Sequence, residues 1–359
     1  MSGAYLNRIG TAVPAHDIHA AFVDFACTLL PQEKERSVFE RMSARSGIAH
    51  RYSHFRPGDI AAGEVDADGF FVRGRFPDTA ARMALYASRA LDLALRAVDA
   101  LGIADECHRI THVVVASCTG FTAPGLDVQL SQRLGLPSSV ARTVVGFMGC
   151  SAAVPALRLA QQAVLADPAA RVLVVNLELS SLHLQESGDV ATLLSLMLFG
   201  DGCAAALVTA DASGIALQAF RSAVIPDSQN MITWTIGNQG FLMYLSGEVP
   251  GRIAGVLRQE RARSDGDGLL QGSGTQAIDL WAVHGGGRTV LDAVEIGLGL
   301  PAEALRFSRG VLRDFGNMSS ATVMFVLARM LAEGGAGRRG FAMAFGPGMV
   351  AETFQFSMV

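Results

Sequence analysis

The chain has 359 residues, half of them apolar, with 29 Lys+Arg against 33 Asp+Glu and a formal charge of −4. That composition excludes a disordered chain, and without a run of basic residues it gives no electrostatic reason to expect nucleic acid as a partner. The five cysteines, Cys27, Cys107, Cys118, Cys150 and Cys203, are too sparse and too odd in number for a secreted disulfide scaffold, which predicts a reducing, cytoplasmic setting.

From Met1 to Phe22 the chain is interrupted by Arg8, Pro14 and Asp17, so no apolar signal core is expected. A helical region is predicted near Ala21 to Arg45, followed by a polar, glycine-rich excursion from Arg56 to Arg75. Met83, Ala87, Leu91, Leu95 and Val98 recur at helical spacing in Ala80 to Leu101, and Gly102 is placed to cap that helix. Buried-type strands are predicted at Thr111 to Ser117, Thr143 to Phe147, Arg171 to Leu177 and Cys203 to Ala210. The turn Asp211-Ala-Ser-Gly214 is the natural midpoint, dividing the chain into halves 1–213 and 214–359. Ser228 to Gly247 is uncharged but carries Gln229, Asn230, Asn238 and Gln239, so no membrane span is expected. Arg258 to Gly274 reads as a surface loop, and further strands are expected at Leu280 to Val283, Gly340 to Ala344 and Ala351 to Phe356. Strands alternating with helices in both halves indicate an α/β fold.

Three places carry candidate chemistry. In Thr143-Val-Val-Gly-Phe-Met-Gly-Cys150 a strand ends in a glycine turn and a helix follows at or just after the cysteine. Unpaired N–H groups at a helix start favour thiolate over thiol, which suits a nucleophile; a small buried side chain is the plain alternative. Asp279-Leu-Trp-Ala-Val-His284-Gly-Gly-Gly287 delivers a histidine into glycines that let a large ligand approach the backbone. Asp314-Phe-Gly-Asn317-Met-Ser-Ser opens a helix predicted over Thr322 to Leu331; the amide suits a developing oxyanion, or simply an N-cap.

Together these segments resemble the type III polyketide synthases, the chalcone-synthase-like enzymes. GFMGCSAAVPALRLA, WAVHGGGRTVLDAVE, FGNMSSATVMF and the Phe345-Gly-Pro-Gly348 loop occur in the family's order, and Leu198-Phe-Gly-Asp-Gly202 falls where the family has the same motif. The resemblance runs from about Tyr5 to the end. It implies a layered αβαβα thiolase-like fold of two duplicated halves, a homodimer, and acyl-CoA and malonyl-CoA as substrates without metal or organic cofactor. It further implies that Cys150 is acylated as a thiolate paired with His284. His284 and Asn317 would stabilise the malonyl-derived enolate, with Phe199 as an apolar wall. Ser319, Gly346 and Pro347 fall in the same motifs as cavity residues, and Arg41 and Arg45 match basic positions near the coenzyme A phosphates, where a third family lysine is Val38 here.

Departures touch the substrate cavity. Met243 stands where chalcone synthases have a gatekeeping phenylalanine, and Cys118 and Ala123 replace a threonine and a methionine, while His183 is placed to project into the cavity. Smaller residues there predict open space, an aliphatic starter, and alkylpyrone or alkylresorcinol-type products. A fatty-acid-type ketoacyl synthase and a non-catalytic acyl-CoA-binding protein on the same fold are the competing readings. An esterase is excluded because its HGGG precedes a G-x-S-x-G serine absent here.

Overall fold

The computed structural model describes residues 3–263 and 265–359. The chain opens with β1 (Tyr5–Ala12), β2 (His16–Asp17), α1 (His19–Leu29), α2 (Glu33–Ala44) and β3 (Tyr52–Ser53). There follow α3 (Thr79–Leu101), β4 (His112–Ser117), α4 (Leu126–Arg133), β5 (Ala141–Gly146), α5 (Ala153–Ala166), β6 (Val172–Leu179), α6 (Val190–Leu196) and β7 (Asp201–Thr209). After the turn come β8 (Ile215–Val224), β9 (Ile232–Gly237), β10 (Gly240–Leu245), α7 (Val249–Ala262), β11 (Leu280–Val283) and α8 (Arg288–Leu298). α9 (Arg306–Phe315), α10 (Ala321–Glu333), β12 (Arg339–Gly346) and β13 (Val350–Met358) complete the chain.

Nine strands pair in the order β11-β12-β13-β8-β1-β7-β6-β4-β5. β1 and β8 meet only at Tyr5↔Ala216 and Leu6↔Ile215, so each half contributes its own sub-sheet and the two touch at one corner. Each sub-sheet has a parallel outer part, β6-β4-β5 or β11-β12, and an antiparallel inner part. α5 and α10 are packed among strands of both sub-sheets in one continuous core. α10 is apolar nearly all round, which suits a helix sunk in the core, whereas α5 turns Leu159, Gln162 and Leu165 toward solvent. Val323, Met324, Val326 and Leu327 of α10 are wholly buried, each stabilising the fold by about 1.5–3 kcal/mol. α3 and α4 cover the outer face of the first sub-sheet, and α7 and α8 that of the second. The result is the layered αβαβα thiolase-like arrangement.

α3 follows its sequence pattern closely: Asp78 accepts a hydrogen bond from the Ala81 N–H, and Gly102, at φ +71°, closes the helix. Other expectations need revision. The first helical region breaks into α1 and α2 at Pro31, which has no N–H and holds Leu30 extended. α7 continues to Ala262, so only the later part of Arg258 to Gly274 is loop. The 56–75 excursion is anchored: buried Asp66 accepts hydrogen bonds from the N–H groups of Asp68, Phe70 and Phe71, and Phe71 is buried against Phe55 and Phe76. The β9–β10 hairpin was not legible in Ser228 to Gly247, which lacks a clean alternation of apolar and polar residues.

Candidate active site

Cys150 lies in a single 3-10 turn, Gly149–Ser151, between β5 and α5. α5 begins only at Ala153, so Pro155 occupies its first turn, where no intrahelical N–H bond is lost. The turn is tightly sprung: Phe147 has φ +58° and Gly149 φ +63°, and a Cβ on Gly149 would stand 2.3 Å from Pro347 Cδ. Gly346 is equally constrained, since a Cβ there would lie 2.3 Å from Ser151 Oγ and 3.0 Å from the Met148 carbonyl. The Gly346-Pro347 loop therefore backs the cysteine turn by direct contact.

Asn317 is brought to this turn from the start of α10. The Asn317 N–H donates to the Leu198 carbonyl at 2.8 Å, and its own carbonyl accepts from the Gly200 N–H at 3.0 Å, clamping it beside Phe199. Its Oδ1 accepts the Ser319 N–H at 2.8 Å, and its Nδ2 donates to the Gly286 carbonyl at 3.2 Å, fixing the amide's orientation. Nδ2 then lies 3.9 Å from Cys150 Sγ. The Oδ1 bond to Ser319 makes a local turn ahead of α10, whose N-cap is Ser320 rather than Asn317, and both amide atoms lie 3.9 Å from the sulfur.

His284 directly follows β11, its N–H bound to the Met343 carbonyl, and among the described residues neither ring nitrogen has a partner. Its Nε2 lies 3.5 Å from where a Gly286 Cβ would stand, next to the carbonyl that Asn317 holds. Desolvation lowers the imidazole to about 4 and raises the Cys150 thiol to about 11, the latter eased by hydrogen bonds from Ser319 and Asn317. Neither group charges alone in this surrounding. The thiolate–imidazolium pair expected from sequence is not held by a direct hydrogen bond in this state; transfer of one proton from sulfur to imidazole would create both charges together.

Sequence reasoning missed Glu178, a fully buried acid on β6 beneath the nucleophile. It accepts hydrogen bonds from Cys118 N and Sγ, both at 3.0 Å, from Thr119 Oγ1 at 2.9 Å and from Ser320 Oγ at 2.5 Å. Cys118 Sγ in turn lies 3.3 Å from Ser319 Oγ, which reaches Cys150. The available signal was one acid inside the otherwise uncharged Val-Leu-Val-Val-Asn-Leu-Glu-Leu strand.

Models of chalcone and stilbene synthases match residues 2–212 with their N-terminal domain and 216–359 with their C-terminal domain. An alpha-pyrone synthesis polyketide synthase-like protein of Mycobacterium tuberculosis is 35% identical, covering 99% of this chain and 91% of its own. The chain belongs to the chalcone and stilbene synthase family of type III polyketide synthases. Bisdemethoxycurcumin synthase of Oryza sativa is also 35% identical, over 97% of this chain and 91% of the relative. Among solved structures, the Ectocarpus siliculosus PKS-I superposes with a TM-score of 0.87 at 31% identity, over 99% of this chain and 98% of that one. Tetrahydroxynaphthalene synthase from Streptomyces coelicolor gives 0.84 at 28% identity, over 99% of both chains. Type III polyketide synthases use acyl-CoA and malonyl-CoA in decarboxylative condensation, and this chain is such an acyltransferase.

In this type III polyketide synthase, Met243 and His183 line a cavity together with Phe199 and Trp234. Cys118 and Ala123 do not: the space beside Cys118 is closed by Trp234, while Ala123 faces outward. Trp234, paired with Met243 across the hairpin, lays its ring over this side and donates Nε1–H to the Cys118 carbonyl at 2.7 Å. His183 stacks on Phe241 at 4.2 Å and meets Trp234 edge-on at 5.3 Å. Its Nε2–H donates to the Thr119 carbonyl and its Nδ1 accepts the Phe241 N–H, while burial lowers it to about 3. Cys118 is buried in the Glu178 network, and Ala123 lies exposed on the surface. Arg41 is exposed in the last turn of α2 and Arg45 is exposed at its C-cap. Arg288 at the start of α8 donates to the Arg45 carbonyl at 3.1 Å, adding a third guanidinium to that face.

Proposed function

We propose that Cys150 carries the starter acyl group, with His284, Asn317 and Phe199 completing the reaction centre. The observation that carries this reading is the convergence of Asn317 Nδ2 on Cys150 Sγ and on the Gly286 carbonyl, three segments remote in sequence meeting at one turn. The thiol proton passes to His284, the sulfur attacks the acyl-CoA carbonyl, and coenzyme A leaves as the thiol. Malonyl-CoA then loses carbon dioxide. His284 and the Asn317 amide donate to the thioester oxygen as it gains enolate charge, and the apolar Phe199 ring favours neutral carbon dioxide over carboxylate. The enolate carbon attacks the acyl thioester and Cys150 is released. Arg41 and Arg45 attract the coenzyme A phosphates, and no metal or organic cofactor is needed.

An aliphatic starter and an alkylpyrone-type product fit best, in keeping with the relative named for alpha-pyrone synthesis. Phe121, Val144 and Met148 are exposed apolar side chains along the β5 edge and the cysteine turn, supporting a homodimer through that face. All five cysteines are free, which suits the cytoplasm, and among the described residues no helix is long and apolar enough to cross a membrane. Incubation with labelled malonyl-CoA and a fatty acyl-CoA tests the reading. Carbon dioxide release and an acyl adduct lost in Cys150→Ala are expected; tight binding with neither would indicate a binding protein instead.

A further inference from the structure

Phe199 and Asn317 belong to two segments that meet through a single parallel β-bridge. The Asn317 N–H and carbonyl bind Leu198 and Gly200, so the Phe199 carbonyl between them faces the other way. Arg51, the residue before β3, takes that carbonyl: its Nη1 donates to Phe199 at 2.5 Å and to the Leu196 carbonyl at 3.3 Å. Leu196 ends α6, where the last carbonyls of a helix favour a cation. The Arg51 stem fills the gap beside them. A Cβ on Gly316 would stand 2.8 Å from Arg51 Cγ, and one on Gly200 3.4 Å from Arg51 Cβ. Arg51 therefore packs against both sides of the bridge, at the residues next to Phe199 and Asn317.

Packing alone does not account for a guanidinium at this place. Arg51 is 1% exposed, and its side-chain hydrogen bonds go to two carbonyls and to His19 Nδ1, none to a carboxylate. Its Nη2 has no partner among the described residues, and burial lowers the group to about 9, which leaves it charged at neutral pH. Burying an unpaired charge destabilises a fold, whereas a hydrocarbon of that size would fill the same space without that penalty. The rest of the residue is fixed from α1. Its N–H donates to Asp17 Oδ1 at 3.2 Å, its carbonyl accepts the Ile18 N–H at 2.8 Å, and its guanidinium lies over the Phe22 ring at 4.8 Å. The cation is anchored at the start of α1 and turns its donors on the segment that carries Phe199.

We propose that Arg51 is a positioning residue for malonyl-CoA decarboxylation: by holding the Leu196 and Phe199 carbonyls and wedging its stem against Gly316, it sets the Phe199 ring and the Asn317 amide in fixed places beside Cys150. This role rests on the reading of Phe199 and Asn317 as the groups that meet malonyl-CoA. Arg51 acts through those two side chains, and a shift of about 1 Å in such groups costs about 10²-fold in rate.

The test follows carbon dioxide release from labelled malonyl-CoA by the intact enzyme as wild type, Arg51→Met and Arg51→Lys. Each rate is divided by the amount of Cys150 that iodoacetamide alkylates, which counts folded sites. Arg51→Met keeps an apolar stem and loses the donors; its kcat is expected to fall at least about tenfold while KM for malonyl-CoA stays within about twofold. Arg51→Lys can still donate to both carbonyls and is expected to recover most of that loss. The same Arg51→Met change is then made in Phe199→Leu and in Asn317→Ala. A residue that acts through those side chains matters less once either is gone, so its effect should shrink by about threefold or more in at least one of these backgrounds. Should Arg51→Met lack a cooperative thermal melt, Arg51→Gln takes its place. Losses that multiply in full in both backgrounds, a raised KM with kcat unchanged, or a donorless variant as fast as wild type overturns the positioning role alone. Wild type that releases no carbon dioxide overturns the reading of Phe199 and Asn317, and that of Arg51 with it.

Discussion

At the residue scale, Asn317 shows why the site needs a neutral amide. One side chain must accept the Ser319 N–H and also donate toward the Gly286 carbonyl and Cys150, which neither a carboxylate nor a hydrocarbon can do. Glu178 acts on the same sulfur from below, its negative charge opposing thiolate formation. Glu178→Gln removes that repulsion while keeping the side chain's size, so the Cys150 pKa should fall. Alkylation of Cys150 by iodoacetamide, followed against pH, is expected to shift to lower pH in this variant; an unchanged or higher midpoint would contradict the electrostatic role. Asn317→Asp places a like charge where the enolate forms, and malonyl-CoA decarboxylation is expected to drop by about 10²–10³-fold, measured as carbon dioxide release. Cys150, His284 and Asn317 were legible in the sequence because each sits beside glycines at the end of an element. Glu178 and Trp234 were not, because their partners lie far away in the chain: Cys118 is 60 residues from Glu178 and 116 from Trp234.

At the element scale, the cysteine turn is held by its own bonds, Ala152 N–H to the Gly149 carbonyl and Ser151 Oγ–H to the Met148 carbonyl, and by loops that press on it. Phe147, Ser319 and Met349 all have positive φ, at 58°, 48° and 49°, so three non-glycine residues in the loops around the nucleophile carry backbone strain. Strain of that kind persists only where neighbouring elements over-determine the geometry, here β12 and its Gly346-Pro347 loop. Gly149→Ala would combine an unfavourable φ with a collision against Pro347. It is expected to cost about 1–3 kcal/mol of stability and, by displacing the sulfur, to slow acylation by around 10²-fold. Thermal melting and single-turnover acylation measure the two effects separately. The helix after Cys150 was readable from its apolar run, but its start at Ala153 depended on the 3-10 turn that this packing imposes.

At the scale of the whole molecule, burial of neutral histidines couples stability to pH. His183 and His284 are lowered from 6.5 to about 3 and about 4, so the unfolded chain binds their protons first and stability falls as pH drops below about 6.5. Between about pH 7 and about pH 5 each removes roughly 2 kcal/mol. Asp201, raised to about 6 by burial, works the other way and restores about 1 kcal/mol over that interval; buried Glu178 acts in the same sense. His19 and His54, also lowered to about 4 by burial, add to the fall, so a net loss of several kcal/mol is expected, seen as a lower urea midpoint at the more acidic pH, and a midpoint that holds or rises would refute it. The sequence alone determined the α/β class, most strand positions, the family and the three candidate side chains, because alternation, apolar runs and glycine turns are local signals. Only the tertiary structure decided where the free space lies. Cavity shape is a sum over side chains from α1, the 56–75 excursion, the β9–β10 hairpin and the segment after β6. The small side chain at Cys118 therefore opened nothing once Trp234 had folded onto that side.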